Sequence, residues 1–77
     1  MKHKPINQIA REIVKSWKKP YFGAIPYIKA MLTLDQVTDY YGMDTGESIV
    51  RYFLGNAQTW RGEDARRIKK QLNEIIK

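Results

Sequence analysis

The chain contains no cysteine. No disulfide can staple it, and neither a cysteine-based metal site nor a Cys-His nucleophile pair can form. Histidine occurs once, as His3, in a stretch expected to fray. A Ser-His pair would need Ser16 or Ser48 to meet that terminus, and no histidine-containing metal spacing or glycine-rich phosphate loop is present. No run approaches the roughly 20 apolar residues of a membrane span. Met1 to Lys4 are basic, but Pro5 onward is amphipathic with no apolar core of a leader, so no signal peptide is expected. The carboxylates mostly occupy helix-capping or dipole-compensating positions. These absences argue against an enzyme, against a cofactor and against a membrane partner. Missing cysteine is also compatible with a reducing cytoplasm.

Seventy-seven residues make one domain, 1–77. A chain this short buries only about 60–65% of the surface its unfolded form exposes. Stability must come from helix packing, from a partner or from a second copy of the chain. A homodimer would suit so small a core, although no heptad pattern demands one.

The formal net charge is +6. Residues 1–20 carry six Lys/Arg and one Glu. Residues 21–50 carry Lys29 against Asp35, Asp39, Asp44 and Glu47. Residues 51–77 carry seven Lys/Arg against Glu63, Asp64 and Glu74. Basic ends around an acidic middle suit a polyanionic partner, and equally suit internal pairing between ends and middle.

The most apolar and aromatic stretch runs from Ile49 to Trp60, and it reads as the central helix. Asp44 and Glu47 have capping-box spacing ahead of it. Ile49, Phe53 and Trp60 form one stripe, with Val50, Leu54 and Ala57 beside it, wider than a surface helix needs. Gly55 lies inside this span, and its expected use is a close helix approach. Ahead of it, Pro5 reads as a first-turn proline of a helix running to Lys19, with Ile6, Ile9, Ile13 and Trp17 on one face. Pro20 stops it. A second helix is expected from Ala24 to Leu32, with Ile25, Ile28, Met31 and Leu32 inward and Pro26 in its first turn. Thr33 and Gln36 form another capping-box pattern, which predicts a short third helix from Leu34 to Tyr41 stopped by Gly42. The second and third could also be one bent helix. Glu63 and Asp64 open a last helix, with Ala65, Ile68, Leu72, Ile75 and Ile76 as its apolar stripe. The fold class is all-α, a compact bundle of four to five short helices around Trp17, Ile28, Phe53, Trp60, Ile68 and Leu72.

Three surfaces could carry binding. Residues 33–54 invite comparison with a helix-turn-helix, but Ile49 to Leu54 is nearly all apolar where a recognition helix presents polar groups to bases. The local charge is also negative, which argues against that motif. The outer faces of the first and last helices offer Arg11, Lys15 and Lys18, and Arg66, Arg67 and Lys70, as phosphate contacts if the helices lie side by side. The plainer reading is a solvated exterior. Tyr21, Phe22, Tyr27, Tyr40, Tyr41 and Tyr52 are too many for one small core. Of these, Tyr21, Phe22, Tyr40 and Tyr41 are the candidate protein contacts. The plainer alternative is that they seal the core edges with hydroxyls in water.

Three segments resemble a group of small proteins encoded by bacteriophages and prophages of Gram-positive bacteria: residues 17–27 (WKKPYFGAIPY), 48–54 (SIVRYFL) and 59–70 (TWRGEDARRIKK). The resemblance covers most of the chain. It implies a phage or prophage origin and an intracellular setting, the cytoplasm of a bacterial host cell, and brings no catalytic or binding residues. Small phage accessory proteins commonly act on host or phage machinery. The first expectation is therefore a non-enzymatic accessory protein that binds a host or phage protein. The alternative is a non-sequence-specific nucleic-acid-binding protein using the basic faces.

Overall fold

A computed structural model describes residues 4–77; the reading of His3 lies outside them. The described residues form a compact all-α globule of four helices with one minor hairpin: α1 (Ile6–Ser16), α2 (Ile25–Met31) entered through a 3₁₀ turn at Phe22–Ala24, β1 (Tyr40–Tyr41), β2 (Asp44–Thr45), α3 (Gly46–Gly55) and α4 (Glu63–Ile75). No helix among the described residues is long and apolar enough to cross a membrane.

The apolar stripes read from the sequence point inward. Ile6, Ile9, Ala10 and Ile13 of α1, Ile49, Val50 and Phe53 of α3, and Ala65, Ile68 and Leu72 of α4 are all buried, as are Trp17, Ile28 and Trp60. Trp17 and Trp60 stack at 5.3 Å and 8° between ring planes, and Phe53 stands edge-on to each at 6.3 Å. Such aromatic contacts add roughly 0.5–1.5 kcal/mol each beyond the area they bury. They anchor the two connectors that follow α1 and α3 in one core.

Several boundaries differ from expectation. The central helix ends at Gly55 rather than reaching Trp60. The Asn56 side chain donates back to the Tyr52 carbonyl at 2.8 Å, and tight turns then carry Trp60 into the core from a loop. Gly55 is exposed, and a Cβ placed there meets nothing within 4 Å, so it serves no close approach. The cap of α3 is Thr45 rather than Asp44: its hydroxyl oxygen accepts from the Ser48 amide at 3.2 Å. α1 stops at Ser16, because Trp17 turns to extended backbone, and Pro5 stands just before the helix. Ile25 and Leu32, expected inside, are exposed.

The largest departure is residues 34–41, which form no helix and with α3 build no helix-turn-helix. Their backbone carbonyls are used elsewhere. Leu34 and Asp35 accept the amides of Asn7 and Ile6 at 2.8 and 2.9 Å, while Val37 and Asp39 accept those of Glu47 and Gly46 at 3.0 and 2.7 Å. The first donors of a helix lack partners within the helix, and this one segment supplies them for both α1 and α3. Thr33 does not cap; its hydroxyl donates to the Ala30 carbonyl at 2.7 Å and closes α2. The Asp39 carboxylate receives the Asp35 and Gln36 amides and fixes the turn. Gly42 does adopt a left-handed φ, +64°, but in the two-residue turn of a hairpin in which Tyr41 pairs with Asp44. Positive φ at its first central residue alone is the pattern of a type II′ turn.

The 34–39 segment passes so close to α3 that a Cβ on Gly46 would lie 2.7 Å from the Gln36 carbonyl oxygen and 3.0 Å from the Val37 Cα. Both are backbone atoms, so neither can yield cheaply. Gly46→Ala is expected to lower unfolding free energy by about 1–3 kcal/mol, the cost of overpacking. Gly55→Ala should raise it by up to about 1 kcal/mol, through helix propensity. Urea denaturation of both variants checks the opposite signs; a neutral Gly46→Ala would show that the segment can move away.

Candidate binding surfaces

The four aromatic candidates are all exposed, but the fold divides them. Phe22 is 76% exposed and lies tilted against Tyr21 at 4.8 Å. This corner sits at the C-terminal end of α3, since a Cβ on the adjoining Gly23 would fall 2.8 Å from the Asn56 side-chain oxygen. Tyr40, 67% exposed, pairs with Thr45 at the other end of α3. The ten residues of α3 separate the two groups by about 15 Å along the axis.

Two side chains lie between them that the sequence reading left out of the contact set. Tyr27 of α2 and Tyr52 of α3 face each other at 5.6 Å across the α2–α3 seam. Tyr52 is exposed and Tyr27 half-buried. The spacing Thr45, Tyr52, Asn56 is seven and then four, one flank of a helix, so Tyr52 follows the same side from the hairpin towards the corner. Met43, in the hairpin turn, is 95% exposed. A hairpin reading of Tyr41-Gly42-Met43-Asp44 would have found it.

The basic candidates are all exposed as well; Lys18, expected on the first helix, lies beyond its end, and the two helices that carry the other five pack together. The seam between them is not basic. Glu12 of α1 accepts from Lys4 at 2.8 Å and from Arg67 of α4 at 3.1 Å. Arg67 also reaches Asp64 at 3.5 Å, and the Ser16 hydroxyl donates to Asp64 at 3.4 Å. Arg67 is thus engaged in a clamp between α1 and α4. Arg11, Lys15, Lys18, Arg66 and Lys70 make no ion pair among the described residues. On the outer row of α4, Glu63 and Glu74 stand at helical spacing from Arg66 and Lys70, so that row carries both signs. A phosphate face over both helices would have to cross Glu12 and Asp64. Between the acidic middle and the basic ends the described residues make one ion pair, Glu47 with Arg51 at 2.9 Å, four apart within α3.

The hydrogen bond from Lys4 first, and then Arg67, hold the Glu12 carboxyl below its ordinary 4.5, against an opposing effect of burial. The hydrogen bond to Glu12, and then that to Asp64, raise Arg67 against an opposing effect of burial. Burial, assisted by Arg61, lowers the ammonium of Lys69, which donates to the Trp60 carbonyl at 2.7 Å and lies 5.9 Å from the Trp60 ring centre.

A carboxylate with a depressed folded pKa contributes stability above its unfolded value and loses it as pH falls through the folded one. Glu12→Gln should therefore have a shallower fall of Tm than the parent below pH 4.5, with the two curves converging at the acid end. Thermal unfolding across the acid range reads this directly. Parallel curves would mean that the clamp is idle. Comparison with known proteins adds no further constraint: no protein-family model, no curated protein and no solved structure matches the chain.

Proposed function

We propose that this is a non-enzymatic accessory protein that acts by binding another protein through its exposed aromatic side chains. The observation that carries the reading is the outward placement of Tyr21, Phe22, Tyr40, Tyr41 and Tyr52. Burying each would remove apolar area from water, and aromatic residues dominate protein contacts because they offer large area at small entropic cost. The corner, the seam and the hairpin lie along one helix length, within reach of a partner of ordinary interface size. Glu12, Asp39, Glu47 and Asp64 are occupied in the clamp, a turn and a helix pair, which explains them without chemistry. The resemblance to small phage and prophage proteins supplies the setting, a host or phage protein inside a bacterial cell.

Arg11 and Lys15 on α1 and Lys18 just beyond it, all exposed and without an ion pair among the described residues, support the competing reading, backbone-led binding of nucleic acid. The acids interleaved on α4 and along the α1–α4 seam weaken it, because phosphates would meet them.

Two measurements separate the readings. In capture from a Gram-positive host lysate, Phe22→Ala and Tyr40→Ala should each weaken retention of a bound protein about 10- to 30-fold, the range of an aromatic anchor. Lys15→Glu with Lys18→Glu should leave it mostly intact. Anisotropy titration of labelled duplex and single-stranded DNA and RNA at about 50 and 200 mM salt should show only weak binding; tight binding that falls by orders of magnitude with salt would establish the competing reading instead.

A further inference from the structure

The exposed apolar side chains fall into two chemically opposite groups. The first lies on α1, α2 and their connector: Val14, Tyr21, Phe22, Ile25 and Leu32. Asn7 of α1 donates to the Leu34 carbonyl just beyond α2, and Val14 is seven residues further along that same flank. Ile25 and Leu32 lie three before and four after buried Ile28, on the flank of α2 opposite to Tyr27, which faces α3. Since α2 packs between α1 and α3, these side chains line the α1–α2 junction. No Asp or Glu occurs from Ile13 to Leu34, whereas Lys15, Lys18, Lys19 and Lys29 do. All four lysines are exposed without an ion pair among the described residues.

The second group is the hairpin, with Tyr40, Tyr41 and Met43 outward. Here the charge is reversed. No Lys or Arg occurs from Ala30 to Val50, and Asp35, Asp39 and Asp44 are exposed. The 34–39 segment fastens this acidic hairpin to the N-terminal ends of α1 and α3. The connector with Lys18, Lys19, Tyr21 and Phe22 lies beyond the opposite end of α1. One molecule therefore presents an acidic aromatic projection at one end and a cationic apolar face running to the other.

We infer that the acidic hairpin of one copy docks on the cationic α1–α2 face of a second copy, head to tail. This rests on the reading of the exposed aromatics as protein contacts and names a partner for them. Opposite charge steers the two surfaces together and disfavours like pairing of face with face or hairpin with hairpin. Tyr40, Tyr41 and Met43 then cover Val14, Ile25, Leu32 and the Phe22 corner. Because the two surfaces differ, the contact is heterologous and can propagate beyond a dimer. A two-strand hairpin covers little area, so the contact belongs to the small, weak class of interfaces, below about 1,200 Å² in total.

Sedimentation velocity tests this, with the protein at about 0.5 mM in low salt and again at about 500 mM salt, where exposed charges are screened. The parent should exceed its monomer mass of 9.1 kDa at low salt and return to it at high salt. Lys18→Glu with Lys29→Glu removes the face, and Tyr40→Ser with Met43→Ser removes the hairpin without changing its charge; each variant alone should be monomeric. Mixed in equal amounts, they keep one intact hairpin and one intact face, and should form a 1:1 dimer and nothing larger. Far-UV circular dichroism establishes that both are folded, and the parent's own salt response needs no variant. A parent monomeric at both salts overturns the inference, as does a mixture that stays monomeric, or variants that still self-associate alone. A monomeric parent that nonetheless captures a host protein through Phe22 and Tyr40 overturns self-docking and leaves the proposed function standing.

Discussion

The structure depends on one backbone segment doing the same job twice. Carbonyls of residues 34 and 35 satisfy the first amides of α1, and carbonyls of 37 and 39 satisfy the first amides of α3. No side chain among the described residues caps α1. Helix N-termini leave donors without intrahelical partners, and a buried donor left unmade costs about 1–3 kcal/mol. In a domain without disulfides, two such helix starts are a large share of a stability that totals only about 5–15 kcal/mol. The segment therefore orients α1 and α3 as well as joining α2 to α3. It also explains Gly46, since backbone can come this near to a helix only where no side chain intervenes.

The same constraint shapes the surface. A chain held by its carbonyls at 34–39 must turn back to enter α3, and it does so through the Tyr40–Thr45 hairpin. That hairpin carries aromatic side chains and carboxylates outward from the end of the molecule where α1 and α3 begin. The lysines of the 15–29 stretch lie on other elements: Lys15 on α1, Lys18 and Lys19 on the connector, and Lys29 in the last turn of α2. Charge segregation along the chain thus becomes segregation between elements. Across the α1–α4 seam the opposite happens: Glu12, one residue from Arg11 in sequence, turns to α4 and interrupts the basic surface.

Much of the architecture was legible in the sequence, because apolar spacing at three and four residues reports burial directly. Ile6, Ile9 and Ile13, and Ala65, Ile68 and Leu72, could be assigned inward without a structure. The stretch from Thr33 to Tyr41 could not. Its capping-box spacing is a local signal, and it was overruled by hydrogen bonds to α1, 27 and 29 positions away, and to α3, 7 and 10 positions away. Trp60 was assigned correctly to the core but wrongly to a helix, since periodicity cannot tell a buried helical residue from a buried loop residue. The binding surfaces were legible only in part. The excess of tyrosines over core capacity pointed outward, yet the separation of the Tyr21–Phe22 corner from the hairpin follows from where α3 begins and ends. The exposure of Ile25 and Leu32 was not legible from spacing, because both stand at helical spacing from Ile28, which is buried.

The most direct test of this account is native-state hydrogen exchange at the amides of Ile6, Asn7, Gly46 and Glu47. If the 34–39 carbonyls hold both helix starts, these four should be protected together, far above free helix N-termini, with opening free energies close to each other and well above those of the hairpin turn. Exchange of these amides at the rate of a frayed terminus, or protection of one pair without the other, would contradict the claim that one segment secures both helices.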